Sequence, residues 1–316
     1  MVESVVITSA ARTAIGSFGG SLKDTSAIDL GTIAVKAAIA RSGMDAGAFG
    51  HTVIGNVIHG EARDMYISRV ISVNAGVPKH APALTVNRLC GSGLQAIVSA
   101  AQTVMLGDCE AAIAGGAESM SNGGYMLPRM RFGARMGESN VIDMMQGALY
   151  DPFGHGLMGI TAENIASRYG INRQTQDAFA AESQRRAAAA IDAGYFQDQI
   201  VGVPVKSRRE TVDFDTDEHP RDVTVEKLGA MKTIFKADGS VTAGNASGIN
   251  DGAAALTLVA ESAVSKLGGT PLARIVAYGH AGVEPDEMGI GPVPAVKIAL
   301  AKAGLKAADL DVVESN

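Results

Sequence analysis

"APALTVNRLCGSGLQAI" spans residues 81–97, and its reading decides the fold. "APALTVN" carries the apolar and β-branched residues of a short buried strand. Further on, Leu94, Ile97, Val98, Ala101, Val104 and Met105 recur at helical spacing, and Gly107 supplies a stop. Cys90 therefore falls in a strand-to-helix turn, beside a helix N-terminus whose unpaired amides and dipole favour a thiolate. Two readings of Cys90 stand at this point: a nucleophile, or a small buried residue without chemistry. Cys109, in an apolar strand, keeps the second reading.

The alternation continues on both sides of this unit. "SVVITSAAR" reads as a strand and "GSFGGS" as a loop. A helix is expected over about 26–42, with Ser26 and Asp29 resembling a capping box. "HTVIGNVI" reads as a strand, "ARDMYISRVISVNAG" as a helix and "CEAAIAGGAES" as a buried strand with a glycine turn. Such alternation implies a mostly parallel sheet covered on both faces, an α/β architecture. From about Ser119 to Gly248 the pattern loosens into an inserted region with a helix over about 175–193 and a polar loop, "RRETVDFDTDEHPRD". Beyond Asp251, "AAALTLVA", "ARIVAYGHAG" and "LDVVES" read as strands around a helix over "PAVKIALAKAG".

Composition narrows the class. With 316 residues, 47% of them hydrophobic, the chain buries a large core and suits two domains, or one with a substantial insertion. The 38 glycines against 4% aromatics fit helices packed closely on sheets. A net charge of −6 argues against a nucleic-acid partner. Two cysteines make neither a disulfide framework nor a metal site, so a reducing cytoplasm fits. "MVESVVITSAART" is too polar for a signal peptide, and no apolar run is long enough to span a bilayer.

An internal repeat adds to this. "IAVKAAIARSGM" (33–44) and "PAVKIALAKAGL" (294–305) share six identities in twelve columns, and with one gap "HTVIGN" falls on "DVVESN", which ends at Asn316. Either two alanine-rich helices agree by composition, or the chain contains two related halves; the shared order of helix, glycine stop and strand favours duplication.

"VNRLCGSGLQAI", "GGAESMSN", "GITAENIA", "DEHPR" and "TAGNASGINDGAAA" together resemble the thiolase family, in particular acetyl-CoA C-acetyltransferases and β-ketothiolases. The resemblance runs from residue 5 to residue 316. It implies duplicated βαβαβαββ halves layered α/β/α/β/α with an inserted loop domain: a first half over 1–118, the loop domain over 119–248, and an incomplete second half over 249–316. It also implies an acyltransferase that cleaves 3-ketoacyl-CoA with coenzyme A, or condenses two acyl-CoA molecules, through an acyl-cysteine at Cys90. A thiol suits thioester exchange because donor and intermediate are close in energy. A backbone amide near the sulfur is the expected oxyanion donor.

By the same resemblance, Ser247 and Ala243 belong to the coenzyme-binding loop, with Ser247 on the pantetheine arm. Arg221 lies near the nucleotide end, where a guanidinium holds phosphate or stacks on adenine. Leu149, Met158 and Phe235 line the pantetheine and acyl tunnel, and Asn316 orders a water in an oxyanion hole. Taken singly, these residues read equally as turn, surface or core. No permanently bound cofactor and no metal is implied, and acyl-CoA and CoA enter as substrates. The family's homodimers or homotetramers make "GGYMLPRMRFGARMG" a candidate assembly loop.

Two departures accompany the resemblance. Leu157 stands where acetyl-specific members commonly carry histidine, which leaves the acyl-chain preference open. The family's later "GHP" histidine and "CxGGG" cysteine do not occur in residues 1–316, and His51, His59, His80, His155, His219 and His280 are read as structural or surface residues. General acid–base catalysis contributes about 10²- to 10⁴-fold, so turnover by these residues alone is expected to be strongly impaired or absent. The alternatives are a non-catalytic coenzyme- or acyl-binding subunit, a decarboxylating condensing enzyme of the ketoacyl synthase type, or a longer natural chain.

Overall fold

The computed structural model describes residues 3–206 and 210–316. The chain opens with β1 (Val5–Thr13), β2 (Gly16–Ser17), α1 (Ala27–Ser42), β3 (His51–Gly55), α2 (Ile67–Asn74), β4 (Ala83–Val86), α3 (Ser92–Met105) and β5 (Ala111–Ser119). Short elements follow: β6 (Tyr125–Met126) pairs with β7 (Ile142–Asp143), and α4 (Met144–Ala148) precedes β8 (Tyr150–Asp151), which pairs with β9 (Gly156–Leu157). Next come α5 (Met158–Arg168), α6 (Arg173–Asp192), β10 (Ile200–Val201), β11 (Val203–Lys206), β12 (Thr211–Phe214) and α7 (Val225–Gly229). The chain closes with β13 (Asn250–Ala260), α8 (Val264–Leu267), β14 (Ala273–Arg274) and α9 (Pro292–Ala303). Among the described residues no helix is long and apolar enough to cross a membrane.

Two compact units form: Met1–Leu149 with Ser183–Asp222 and Ser247–Arg274, and Tyr150–Glu182 with Val223–Ala246 and Ile275–Asn316. The first contains a sheet ordered β10-β1-β13-β5-β3-β4, with β14 on β1 and β2 on β13. The sheet is mostly parallel, as expected, since β10, β1, β5, β3 and β4 share one direction, but it is mixed through β13. β3, β4 and β5 are mutually parallel, but β13 runs antiparallel to both β1 and β5. The reason lies in where β13 begins. Asn250 and Asp251 start beside Ser17 and Gly16, and Asp251 also lies opposite Ser119, at the C-terminal end of β5. A strand that enters at the C-terminal ends of its neighbours must run back against them, whereas a parallel strand needs a crossover to the other end.

Helices cover both faces of this sheet. A Cβ placed on Gly31 of α1 would meet Ala117 Cβ at 3.1 Å, and Gly93 of α3 lies against Gly116. Ala117 and Gly116 are consecutive in β5, so α1 and α3 pack on opposite sides. The alanines and glycines of β5 and β13 leave room for that approach, and Ala111, Ala112, Ile113, Ala114, Leu258 and Val259 are buried. α1 starts as expected: Ser26 Oγ accepts from the Asp29 amide at 3.1 Å, although the Asp29 carboxylate bonds the Ser26 hydroxyl rather than its backbone.

Other expectations are adjusted locally. The helix over "ARDMYISRVISVNAG" divides into a 3₁₀ turn (Ala62–Tyr66) and α2. Arg208 and Arg209 of the expected polar loop lie outside the described residues, and Thr211–Phe214 of that loop pairs antiparallel with β11. "ARIVAYGHAG" contributes only Ala273 and Arg274, paired with Ile7 and Val6 along the same edge of β1 that β10 meets at Arg12 and Thr13. Two short partners leave no long exposed ladder on that edge. "LDVVES" is not a strand and is exposed throughout; among the described residues no segment supplies the neighbour that its backbone groups need.

The second unit relies on buried carboxylates. Glu163 of α5 accepts from the Ser240 amide (2.8 Å), the Ser240 hydroxyl (3.0 Å) and the Val241 amide (2.7 Å). Asp177 of α6 accepts from Arg173 Nε (2.6 Å) and Asn245 Nδ2 (2.9 Å), while Arg173 also donates to the carbonyls of Leu228 and Met231. These pairs tie the helices to residues 228–245 where hydrophobic periodicity is weak. The repeat is visible in local structure. α1 ends on Gly43 (φ 70°) three residues before a 3₁₀ turn at Ala46–Ala48, and α9 ends on Gly304 (φ 68°) three residues before one at Ala307–Asp309. Glycine adopts that left-handed conformation without the steric cost of a Cβ.

Gly115 tests the central pairing. A methyl there would lie 2.4 Å from the carbonyl oxygen of Ala254 in β13, a backbone atom with little freedom to move. Gly115→Ala should destabilise the protein by about 2–3 kcal/mol, within the usual range for overpacking. Urea unfolding checks this against Gly93→Ala, where a methyl meets nothing within 4 Å and the midpoint should hold or rise.

Candidate active site

The Cys90 turn is clamped by its neighbours. Asn87 Oδ1 accepts from the Leu89 amide at 2.9 Å, and Ser92 Oγ accepts from the Arg88 amide at 2.9 Å while donating to the Leu89 carbonyl at 2.6 Å. Backbone bonds Gly91 N to Arg88 O (3.0 Å) and Ser92 N to Leu89 O (2.9 Å) close the turn. This arrangement forces Leu89 to φ 46°, a left-handed value that costs a non-glycine residue about 1 kcal/mol or more. Cys90 follows immediately and is exposed, two residues before α3 begins. Cys90 is therefore not the buried residue that one of its two sequence readings expected. Cys109 is partly buried against Thr103, and burial pushes its thiol pKa up.

Glycine lets the helix start approach the sheet. A Cβ on Gly55, the last residue of β3, would lie 2.6 Å from the Ser92 carbonyl carbon. Next to it, Asn56 donates its backbone N–H to Val86 O (3.1 Å), and its Nδ2 donates to Ala117 O (2.9 Å) and Glu118 Oε1 (2.8 Å). Glu118 also accepts from the amides of Val57 (2.9 Å) and Ile58 (3.0 Å). Burial, reinforced by Asp64, raises its carboxyl from the ordinary 4.5 to about 7 against the pull of those two amides. Sequence reading missed both residues. The available signal was the repeat, which sets Asn56 opposite Asn316.

The residues singled out from sequence divide between the units. Cys90, Leu149, Arg221 and Ser247 belong to the first; Met158, Phe235, Ala243 and Asn316 belong to the second. In the first unit, Arg221 and Ser247 are exposed, and the Arg221 amide donates to Gln184 Oε1 at 2.8 Å. In the second, the Phe235 ring lies on Gly159, where a Cβ would come within 2.1 Å of it, immediately after Met158. Ala243 is exposed at the tip of a turn in which Thr242 N donates to Asn245 Oδ1 (2.8 Å) and Gly244 N to Thr242 Oγ1 (3.2 Å). Asn316 is exposed. His219 belongs with the first unit and contacts Gly248 and Asn250, so it is not a free surface residue.

The first unit thus presents an exposed cysteine in a strained strand-to-helix turn at the edge of a mixed α/β sheet. The model of the thiolase N-terminal domain matches residues 5–262, and that of the thiolase C-terminal domain matches residues 269–316. Beta-ketothiolase BktB of Cupriavidus necator is 58% identical over 318 residues, covering 100% of this chain and 81% of that protein. An acetyl-CoA acetyltransferase of Thiocystis violacea is 47% identical over 319 residues, covering 100% of this chain and 81% of its own. The crystal structure of human mitochondrial 3-ketoacyl-CoA thiolase in complex with CoA superposes with a TM-score of 0.93 at 42% identity, over 98% of this chain and 78% of that one. The chain belongs to the thiolase family and carries its fold.

The Glu118 cluster predicts a pH dependence of stability. Because the folded-state pKa lies above the unfolded value, the folded protein holds this proton more tightly. That contribution is fully present below pH 4.5 and is lost as pH rises through about 7. The free energy of unfolding should therefore fall by on the order of 2–3 kcal/mol from this group between about pH 5 and pH 8. Urea titrations across that range should show a flatter profile for Glu118→Gln, and identical slopes would refute the assignment.

Proposed function

We propose that this thiolase transfers acyl groups between coenzyme A thioesters through an acyl-cysteine at Cys90, by thiolytic cleavage of 3-ketoacyl-CoA or the reverse Claisen condensation. The exposed sulfur in the clamped turn before α3 is the observation that carries the assignment. In the cleavage direction the Cys90 thiolate attacks the 3-keto carbonyl, and the resulting oxyanion collapses with rupture of the bond between C2 and C3. Acetyl-CoA leaves as its enolate and takes up a proton, while the acyl group stays on sulfur. The thiolate of a second coenzyme A then attacks that thioester and releases Cys90. Backbone amides at the start of α3 suit the first oxyanion.

In this reading Ser247 and Ala243 hold the pantetheine arm and Arg221 the nucleotide end. Leu149, Met158 and Phe235 supply the apolar lining, and Asn316 orders a water at the second oxyanion. The 42% identity with a thiolase described in complex with CoA supports coenzyme A as the ligand. Two free cysteines suit the cytoplasm. Incubation with acetyl-CoA and intact-mass measurement should reveal one acetyl group, mapped to Cys90, and Cys90→Ser should abolish it without loss of fold. An unmodified wild-type protein that still binds CoA would overturn the role of Cys90.

Assembly into homodimers or homotetramers is the second part of the proposal. Tyr125, Phe132 and Met136 are 65%, 84% and 86% exposed within one short segment, more apolar surface than a solvated loop needs. Phe132→Glu combined with Met136→Glu should reduce the assembly mass in analytical ultracentrifugation while circular dichroism stays unchanged.

A further inference from the structure

We propose that His219 is a positioning residue for the coenzyme: its imidazole wedges the Ser247–Asn250 loop against the Asp217–Arg221 segment, so that Ser247 and Arg221 are presented in one fixed frame. This rests on the coenzyme reading of Ser247 and Arg221 given above.

The segment from Asp217 to Arg221 is fastened to the start of the chain. Arg12 grips Asp217 through both guanidinium nitrogens (2.8 and 3.0 Å), and the Ile15 amide donates to the same carboxylate at 2.8 Å. Glu218 donates its amide to Ile15 O (2.9 Å), and its carboxylate accepts from Ser17 N (2.8 Å), Ser21 N and the Ser21 hydroxyl. The loop that follows Ser247 meets the same platform. Phe18 N donates to Ile249 O (3.1 Å), and Asn250 Nδ2 donates to Gly16 O (3.0 Å).

His219 closes the gap between them. Asn250 Nδ2 lies 3.3 Å from its Nδ1. An amide nitrogen only donates, so Nδ1 accepts and the ring is neutral; burial, with Arg221 nearby, accordingly lowers its pKa. The ring also occupies the space beside Gly248, where a Cβ would stand 2.2 Å from Cε1. Gly248 is thus glycine because the imidazole fills that place. The contacts lie one residue from Ser247 and two from Arg221, at neither position where a ligand would be touched directly.

The test pairs coenzyme affinity with nucleophile reactivity in the full chain. Calorimetry with CoA should give about a tenfold rise in Kd for His219→Ala, the effect of losing one ring hydrogen bond and its packing. Gly248→Ala should do the same by displacing the ring, and His219→Asn, which restores an acceptor, should recover part of the affinity. Alkylation of Cys90 by iodoacetamide should keep its wild-type rate in all three, because Asn87 and Ser92 hold that turn independently. If Arg221→Ala and Ser247→Ala weaken CoA binding while the His219 and Gly248 variants do not, this inference falls and the coenzyme reading stands. If none of the five variants alters Kd, the coenzyme reading falls and takes the inference with it. A His219→Ala protein that loses fold or Cys90 reactivity, alongside a Gly248→Ala protein with wild-type Kd, would also overturn it.

Discussion

The pairing of β13 with β1 on one side and β5 on the other is the constraint on which the first unit depends. Without residues 250–260, β1 would have no continuous partner and β5 would be an open edge. Asp251 fixes the register at the point of entry: it is fully buried and accepts from the Ser121 amide at 2.9 Å and the Ser121 hydroxyl at 2.5 Å. Thr257 continues this inside the sheet, bonding Thr8 at 2.8 Å and Ser9 at 2.7 Å. These are buried polar pairs that leave no hydroxyl stranded, and they specify one alignment where the Ala-rich strand alone would tolerate a slip. The loop that carries Ser247 leads directly into β13, so the sheet's closure also positions that loop.

The small residues of the central strands have a second consequence. Large side chains on β3 and β5 would hold α3 away from the sheet; Gly55 and Gly116 let its first turn settle onto them. A helix start at that depth leaves few backbone solutions for the turn from β4, and the one adopted places Leu89 in a strained conformation and Cys90 outward. Asn87 and Ser92 offset the strain by bonding its amides and carbonyls. Cys90 is thus exposed by packing several residues away, and the turn that exposes it stores strain.

Much of this was legible in the sequence. The strand–turn–helix around Cys90, the α1 cap at Ser26 and the α9 helix follow from periodicity and capping residues. The direction of β13 did not, because "AAALTLVA" reads the same in a parallel or an antiparallel strand; only the pairing of Asp251 with Ser119 decides it. "ARIVAYGHAG" and "LDVVES" have strand composition, yet a strand exists only where another backbone meets it. His219 was invisible for a similar reason. Its partners Gly248 and Asn250 lie 29 and 31 positions on, and a lone histidine in a polar segment carries no sign of them.

The repeat shows how one local pattern serves two purposes. In the first copy, helix, left-handed glycine and 3₁₀ turn lead into β3 and then to Asn56, whose amide group is held by Ala117 and Glu118. An asparagine so engaged can fix three strand ends, but its Nδ2 has no hydrogen left for a water or a substrate. In the second copy the same helix, glycine and turn precede Asn316, the residue proposed to order a catalytic water. Duplication supplied two asparagines at equivalent steps. Glu118, by engaging the first, commits that copy to holding the strand ends beside the Cys90 turn.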